Sequence, residues 1–403
     1  MDHKERLGYR WIILAICWFG YVVAMTQRLS IGPLAPFIKT SLNLNNYQIG
    51  MFTSAVFVGY MVALVPAGLI VDRINERWVI GFSEILGGIF ICCMFFIRGF
   101  YEGIIFMGLC GFGLGAILPA TSKAIMLWFT EKERATAMGI KHTSINVGGI
   151  LGAVSFPVLA LATSWRHCFL AAGLMGIFVG LMTLLIYRTH PFTHNTSAQH
   201  TESFYKSLKK IIQNKDIILV SLVGFFATVE FAIITFFVLF LKEELRYAVV
   251  TGGFLLATLE AGGAFGKPLF GLISDKIMNG SRKKVYLIIC SLWCLGAIFM
   301  ALASKELTTS FIIIVCAFLG MACIGWSGLH FTLVAELAGK ELVGSATGFT
   351  SVILSLGALT WPVFLGKIID WQDYKTAWLV ISVLGGISFF LIKAVQEKDT
   401  EVV

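Results

Sequence analysis

Arg28 is the residue whose type and position point most directly to chemistry. The run from Trp11 to Thr26 is almost wholly apolar, Gln27 and Arg28 follow, and the segment resumes towards Ile38. A charge at membrane depth is costly, so such residues usually face a water-filled path and handle substrate or ions. A guanidinium is always protonated and presents a flat fork of donors suited to carboxylate or phosphate. The expected ligand is therefore an organic or phosphorylated anion. The alternative is an arginine that snorkels to headgroups, against which stand Leu29, Ile31 and Pro33 where a polar loop would be needed. Lys123 lies about midway along a later apolar segment, in PATSKAIM, and Lys141 and His142 lie one turn into the next. Convergent cations would focus a field that draws an anion in. Each has a plainer alternative: end-of-helix packing for Lys123, snorkelling for Lys141, a satisfied packing ring for His142. Asn146 shares a helix face with His142, and Tyr21 stands seven residues before Arg28 on roughly the same stripe. The acids are Glu230 in FATVEFAII and Glu260 in LATLEAGGAFG, both at mid-segment. They are the expected proton carriers, the alternative being that either pairs with Lys267 or a hydroxyl. Glu84 is expected nearer the periphery, and Trp326, His330 and Trp361 are weaker lining candidates.

The elements that must position these residues are membrane spans. Hydrophobic residues make up 57% of the 403 and charged residues 13%, against about 45–50% and about 25% in soluble chains. A span needs roughly 20 apolar residues. Twelve segments qualify: 11–36, 48–71, 78–98, 103–129, 136–161, 165–187, 217–241, 249–273, 284–303, 309–335, 343–369 and 374–394. The longest connection, HPFTHNTSAQHTESFYKSLKK and its flanks, divides the chain into bundles at 1–189 and 216–403 with a linker at 190–215. With a cytoplasmic N-terminus, 19 of the 31 Lys and Arg residues fall in cytoplasmic loops and tails and 7 in outer loops. That bias fits the positive-inside rule and puts both termini in the cytoplasm. The same topology accounts for the net charge of +8, so nucleic acid is not an expected partner. The first apolar run is too long for a signal-peptide core and reads as a retained helix. Eight of the nine cysteines lie in apolar segments and Cys168 near a loop. No pair has metal-site context, so they read as small hydrophobes.

The halves echo each other. GLIVDRINER, Gly68 to Arg77, follows the second segment, and GLISDKIMNGSRKK, Gly271 to Lys284, follows the eighth. A parallel duplication of six-span bundles is a transporter architecture. On these residues the chain resembles the major facilitator superfamily over essentially its full length. Gly68, Asp72, Arg73 and Arg77 match the family loop pattern, with Asn75 in place of its second glycine, and Trp128-Phe129 with Glu133-Arg134-Ala135 matches the next such connection. The resemblance implies an all-α membrane protein of twelve helices in two six-helix bundles, working as a monomer by alternating access. It implies gating roles for Asp72, Arg73, Arg134, Asp275 and Glu336. Glycines of the fifth, eighth and eleventh segments, such as Gly148, Gly262, Gly266, Gly344 and Gly348, are then packing features.

Within the superfamily the chain looks most like the anion:cation symporters and organophosphate antiporters. That likeness rests on Arg28, the SAVFVGY run ending at Tyr60, and HTSINVGG from His142 to Gly149, and it implies a pore-facing Tyr60. The symporter group commonly has an acid before the first-helix arginine and a glutamate in the fourth helix. Here Gln27 stands at the first place and GFGLGAILP, Gly111 to Pro119, spans the second.

The function expected is secondary active transport of a small organic anion, with protons as the coupling partner, in a bacterial inner membrane. Alternatives are transport of an amino acid or other polar solute, and exchange or uniport without protons. A membrane enzyme would need a compact His, Asp or Cys set, which the sequence lacks, so no cofactor is expected. A sensor of this fold is expected to carry an added cytoplasmic domain.

Overall fold

The protein is described by a computed structural model covering residues 3–188 and 204–397, which are helical with no strand among them. Linker positions 189–203 lie outside the described residues. Among the described residues, eleven stretches are long and apolar enough to cross a membrane. The remaining expected span, 78–98, corresponds to a helix that carries Glu76, Arg77 and Glu84 and falls outside that set.

The chain forms two compact units, residues 1–44 with 51–197, and residues 45–50 with 198–403. The first holds α1 (His3–Arg28), α2 (Ile31–Ser41), most of α3 (Asn46–Arg73), α4 (Glu76–Cys93), α5 (Phe100–Leu114), α6 (Ile117–Trp128), α7 (Glu131–Ala162) and α8 (Trp165–Ile186). The second holds the short α9 (Phe204–Gln213), then α10 (Lys215–Ala227), α11 (Glu230–Glu243), α12 (Val249–Leu272), α13 (Arg282–Leu302), α14 (Thr309–Ile324), α15 (Ser327–Trp371) and α16 (Tyr374–Ala394). A π-helical turn, Ile273–Ile277, extends α12, and α15 is broken at Gly339, whose φ of 72° is left-handed and suits glycine.

Four spans that read as continuous apolar runs are each two helices. The first breaks between α1 and α2, directly after Arg28, and the fourth between α5 and α6 at Gly115–Ala116. Proline contributes to both. Pro33 and Pro119 lack an N–H for the carbonyls of Leu29 and Gly115, four residues earlier, and their rings crowd those carbonyls. In the second unit the breaks fall at Thr228–Val229, between α10 and α11, and at Gly325–Trp326, between α14 and α15. The first of these is stabilised by side chains. The Phe225 carbonyl, left outside the helical ladder, accepts from the Thr228 hydroxyl and from the Trp361 indole N–H, both at 2.7 Å.

The same helix pairings recur in each unit. The broken first span packs along the fifth, α1 on α7 and α10 on α15, and the third packs along the sixth, α4 on α8 and α13 on α16. Between α4 and α8 the approach is set by glycine. A Cβ on Gly88 would sit 2.6 Å from the Gly173 oxygen, and one on Gly173 would sit 2.6 Å from the Gly88 oxygen. Gly148 admits the α1 backbone, Gly262 and Gly266 admit α14, and Gly344 and Gly348 face open space. All nine cysteines are free thiols.

Candidate functional site

The break after α1 leaves Arg28 at a helix end, half-buried, with its side chain turned to α3. Its guanidinium carbon lies 4.3 Å from the ring centroids of both Phe57 and Tyr60, one turn apart on α3. It also hydrogen-bonds the Tyr60 hydroxyl. Aromatic faces attract a cation and hold its plane. Tyr21, buried on α1, lies within electrostatic reach of both Arg28 and Tyr60. Its ring centroid is 5.1 Å from the Lys141 ammonium, which donates to the Ser122 hydroxyl at 3.0 Å. Arg28, Tyr60, Tyr21 and Lys141 therefore form one aromatic-lined cationic cluster inside the first unit. Thr26, beside it, donates to the Gly148 carbonyl at 3.0 Å and ties α1 to α7.

Other expected members stand differently. Lys123 pairs with the buried Glu76 at 3.1 Å and donates to the Val71 carbonyl. Its charge is committed at the α3–α4 junction, which withdraws it from the cluster. His142 and Asn146 share α7, but His142 is exposed and Asn146 buried. Glu84 corrects the peripheral placement expected for it. It is fully buried, with an oxygen 3.0 Å from where a Gly20 Cβ would be, and its Cβ equally close to that of Gly180. Neither carboxyl oxygen has a hydrogen-bond partner among the described residues. Gln27, also buried, donates to the Ala172 carbonyl at 2.9 Å.

In the second unit the break before α11 places Glu230 at a helix start, and the break before α15 does the same for Trp326. The Trp326 indole N–H donates to the Glu230 carboxylate at 2.9 Å. Trp326 also packs edge-on against His330, centroids 5.0 Å apart, and the His330 Nδ1 is 3.1 Å from the Tyr286 hydroxyl. On α12, Glu260 is buried and Lys267 lies two turns further along the same face. Lys267 interacts electrostatically with both Glu230 and Glu260. The structure thus brings the two expected proton carriers to one lysine. Tyr286 had no signal beyond its type, and Lys267 was legible only as a possible partner. Trp361 serves the α10–α11 break.

The gating candidates lie at helix ends. Arg282 bonds Asp275 and, at 3.1 Å, Glu336. Arg134 closes the end of α6 by donating to the carbonyls of Met126 and Phe129 at 2.9 and 3.1 Å. The adjacent Glu133 accepts from the Thr130 hydroxyl at 2.8 Å and from Arg10 at 2.6 Å. These bonds, the Thr130 hydroxyl foremost, hold its carboxyl below the usual range. The side chains of Asp72 and Arg73 lie outside the described residues.

Broken spans with a charged or indole group at the break, Arg28 in the first unit and Glu230 and Trp326 in the second, are a device by which transporters expose backbone and side chains to a solute. Comparison with known proteins agrees. The chain is 28% identical, over 97% of its length and 92% of the relative's, to the membrane sensor protein UhpC of Salmonella typhimurium. It is 24% identical to a probable hexose phosphate transport protein of Chlamydia trachomatis, over 96% of this chain and 91% of that one. It is also 24% identical to the hexuronate transporter of Escherichia coli, over 97% and 95%. Among solved structures, a bacterial homologue of the lysosomal transporter Spinster, inward-facing and unoccupied, superposes with a TM-score of 0.81 at 19% identity, covering 96% of this chain and 98% of that one. A D-xylose–proton symporter does so with 0.81 at 14%, with the same coverage. The expectation that a sensor must carry an added domain fails for UhpC, which this chain spans almost whole. The model of the Major Facilitator Superfamily matches residues 17–362 and 220–401, and this multi-pass membrane chain belongs to that family of transport proteins.

Proposed function

We propose that the protein is a secondary active transporter of a small organic anion, with sugar phosphates and hexuronates as the first classes to try. The observation that carries this is the Arg28 clasp: a fork of donors, oriented by Phe57 and Tyr60, at a helix break beside Tyr21 and Lys141. The relatives named for hexose phosphate and hexuronate transport support the same chemistry. Glu230 and Glu260 carry the coupling proton in this reading.

The test is uptake of labelled hexose phosphate, hexuronate, monocarboxylate and amino acid into proteoliposomes, with and without an imposed pH gradient. Uptake of one of the first three, raised by the gradient, is expected. Glu230→Gln and Glu260→Gln should each abolish gradient-driven accumulation and spare counterflow exchange. Variants that still concentrate the solute remove these acids from coupling. Wild-type exchange that ignores pH means an exchanger or uniporter, and uptake of the amino acid alone moves the reading to a polar solute. A second reading, anion sensing, is favoured by the likeness to UhpC. It requires binding of the same anion with no uptake of any of the four solutes.

A further inference from the structure

The group around Glu230 holds more than the coupling acids. Glu260 and Lys267 share a face of α12, Glu230 opens α11, and Trp326 pins the Glu230 carboxylate from the start of α15. Glu260 is 2% exposed, whereas Lys267 is half-buried. The acids are the fixed members. The lysine has a flexible stem of four carbons and a point charge that can change partners. The groups facing Glu230 are Lys267 from α12, Tyr286 from α13, Cys323 from α14 and, across the Trp326 ring, His330 from α15. Lys267 is the lysine among them, and both carboxylates act on it. A partly buried charge cluster of this kind contributes little net stability, because desolvation offsets the attraction. Its members are better placed for exchange than for holding the fold.

We infer that Lys267 is an anion-binding group of the second unit, claimed by Glu230 and Glu260 while both are ionised and released to an anionic group of the solute when one of them takes a proton. This rests on the anion-transport reading above and adds a ligand site to it. The balance is simple. One proton leaves water for a carboxylate oxygen, one ion pair opens, and one forms between the ammonium and a carboxylate or phosphate of the solute. The linkage is reciprocal: the proton favours the anion and the anion favours the proton. Binding therefore draws in a proton, and coupling follows from competition for one lysine.

The experiment is titration calorimetry of the full-length protein in detergent, with glucose 6-phosphate and glucuronate as probes, in buffers of different ionisation enthalpy. The wild type should take up a proton on binding. Lys267→Met alone leaves the acids uncompensated and risks the fold. Lys267→Met/Glu260→Gln keeps the native net charge of the group, and its thermal unfolding should stay near that of the wild type. Its affinity should fall at least about tenfold, with proton uptake on binding lost. A folded double variant that binds like the wild type overturns the inference, as does a wild type that binds either probe without proton uptake. Those results leave anion transport standing. A wild type that binds neither probe overturns the sugar phosphate and hexuronate reading, and this inference with it.

Discussion

Arg28 lies against two rings and is bonded to a phenol, so its plane matters as well as its charge. Lysine at this position keeps the charge and loses the fork and the stacking. Arg28→Lys should lower affinity for the transported anion about tenfold or more, and Arg28→Ala further, in calorimetry or thermal-shift titration. Unchanged affinity in both would leave Arg28 a packing residue. Tyr60 came from the family resemblance and Tyr21 from its spacing to Arg28, whereas Arg28 and Lys141 were legible in the sequence because a charge in an apolar run has few other uses. Lys123 was not, because its partner Glu76 lies on another helix and only the fold brings them together. Glu84 shows the same limit. Its helix is apolar on most sides, so periodicity gives no polar face from which to orient the acid.

At the scale of elements, the spans could be placed from hydropathy, but their interruptions could not. The first, fourth, seventh and tenth expected segments each look continuous, and each is two helices. Pro33 and Pro119 were the available signals, since a proline disrupts the turn before it. Nothing comparable precedes the break at Thr228–Val229, which relies on the Thr228 hydroxyl and the Trp361 indole for its carbonyl. Pro33→Ala restores a donor for the Leu29 carbonyl and removes a penalty of up to about 3 kcal/mol against a continuous helix. Joining α1 to α2 would turn Arg28 away from Phe57 and Tyr60. The variant should unfold at a higher temperature than the wild type yet transport more slowly. A rise in both stability and rate would show that the break has no part in the cycle.

At the scale of the molecule, the duplication legible in two loop motifs reappears as matched helix pairings in each unit. The gating candidates gather at helix ends, with Arg282 serving both Asp275 and Glu336. Asp72, in the corresponding loop of the first half, is proposed to act in the conformational cycle. Asp72→Asn should slow turnover several-fold while leaving equilibrium affinity nearly intact, since it alters the balance between states and not the ligand contacts. Tight binding lost with turnover preserved would contradict this. The two units also differ in how their breaks are made, and this sets their mechanical character. In the first unit no donor exists at Pro33 or Pro119, so the Leu29 and Gly115 carbonyls have no helical N–H four residues on to bond. In the second unit the breaks beside Glu230 and Trp326 have a full set of backbone donors, and their hydrogen bonds can be redistributed. The second unit thus carries segments whose backbone bonding can be redistributed, beside the charges proposed to change partners.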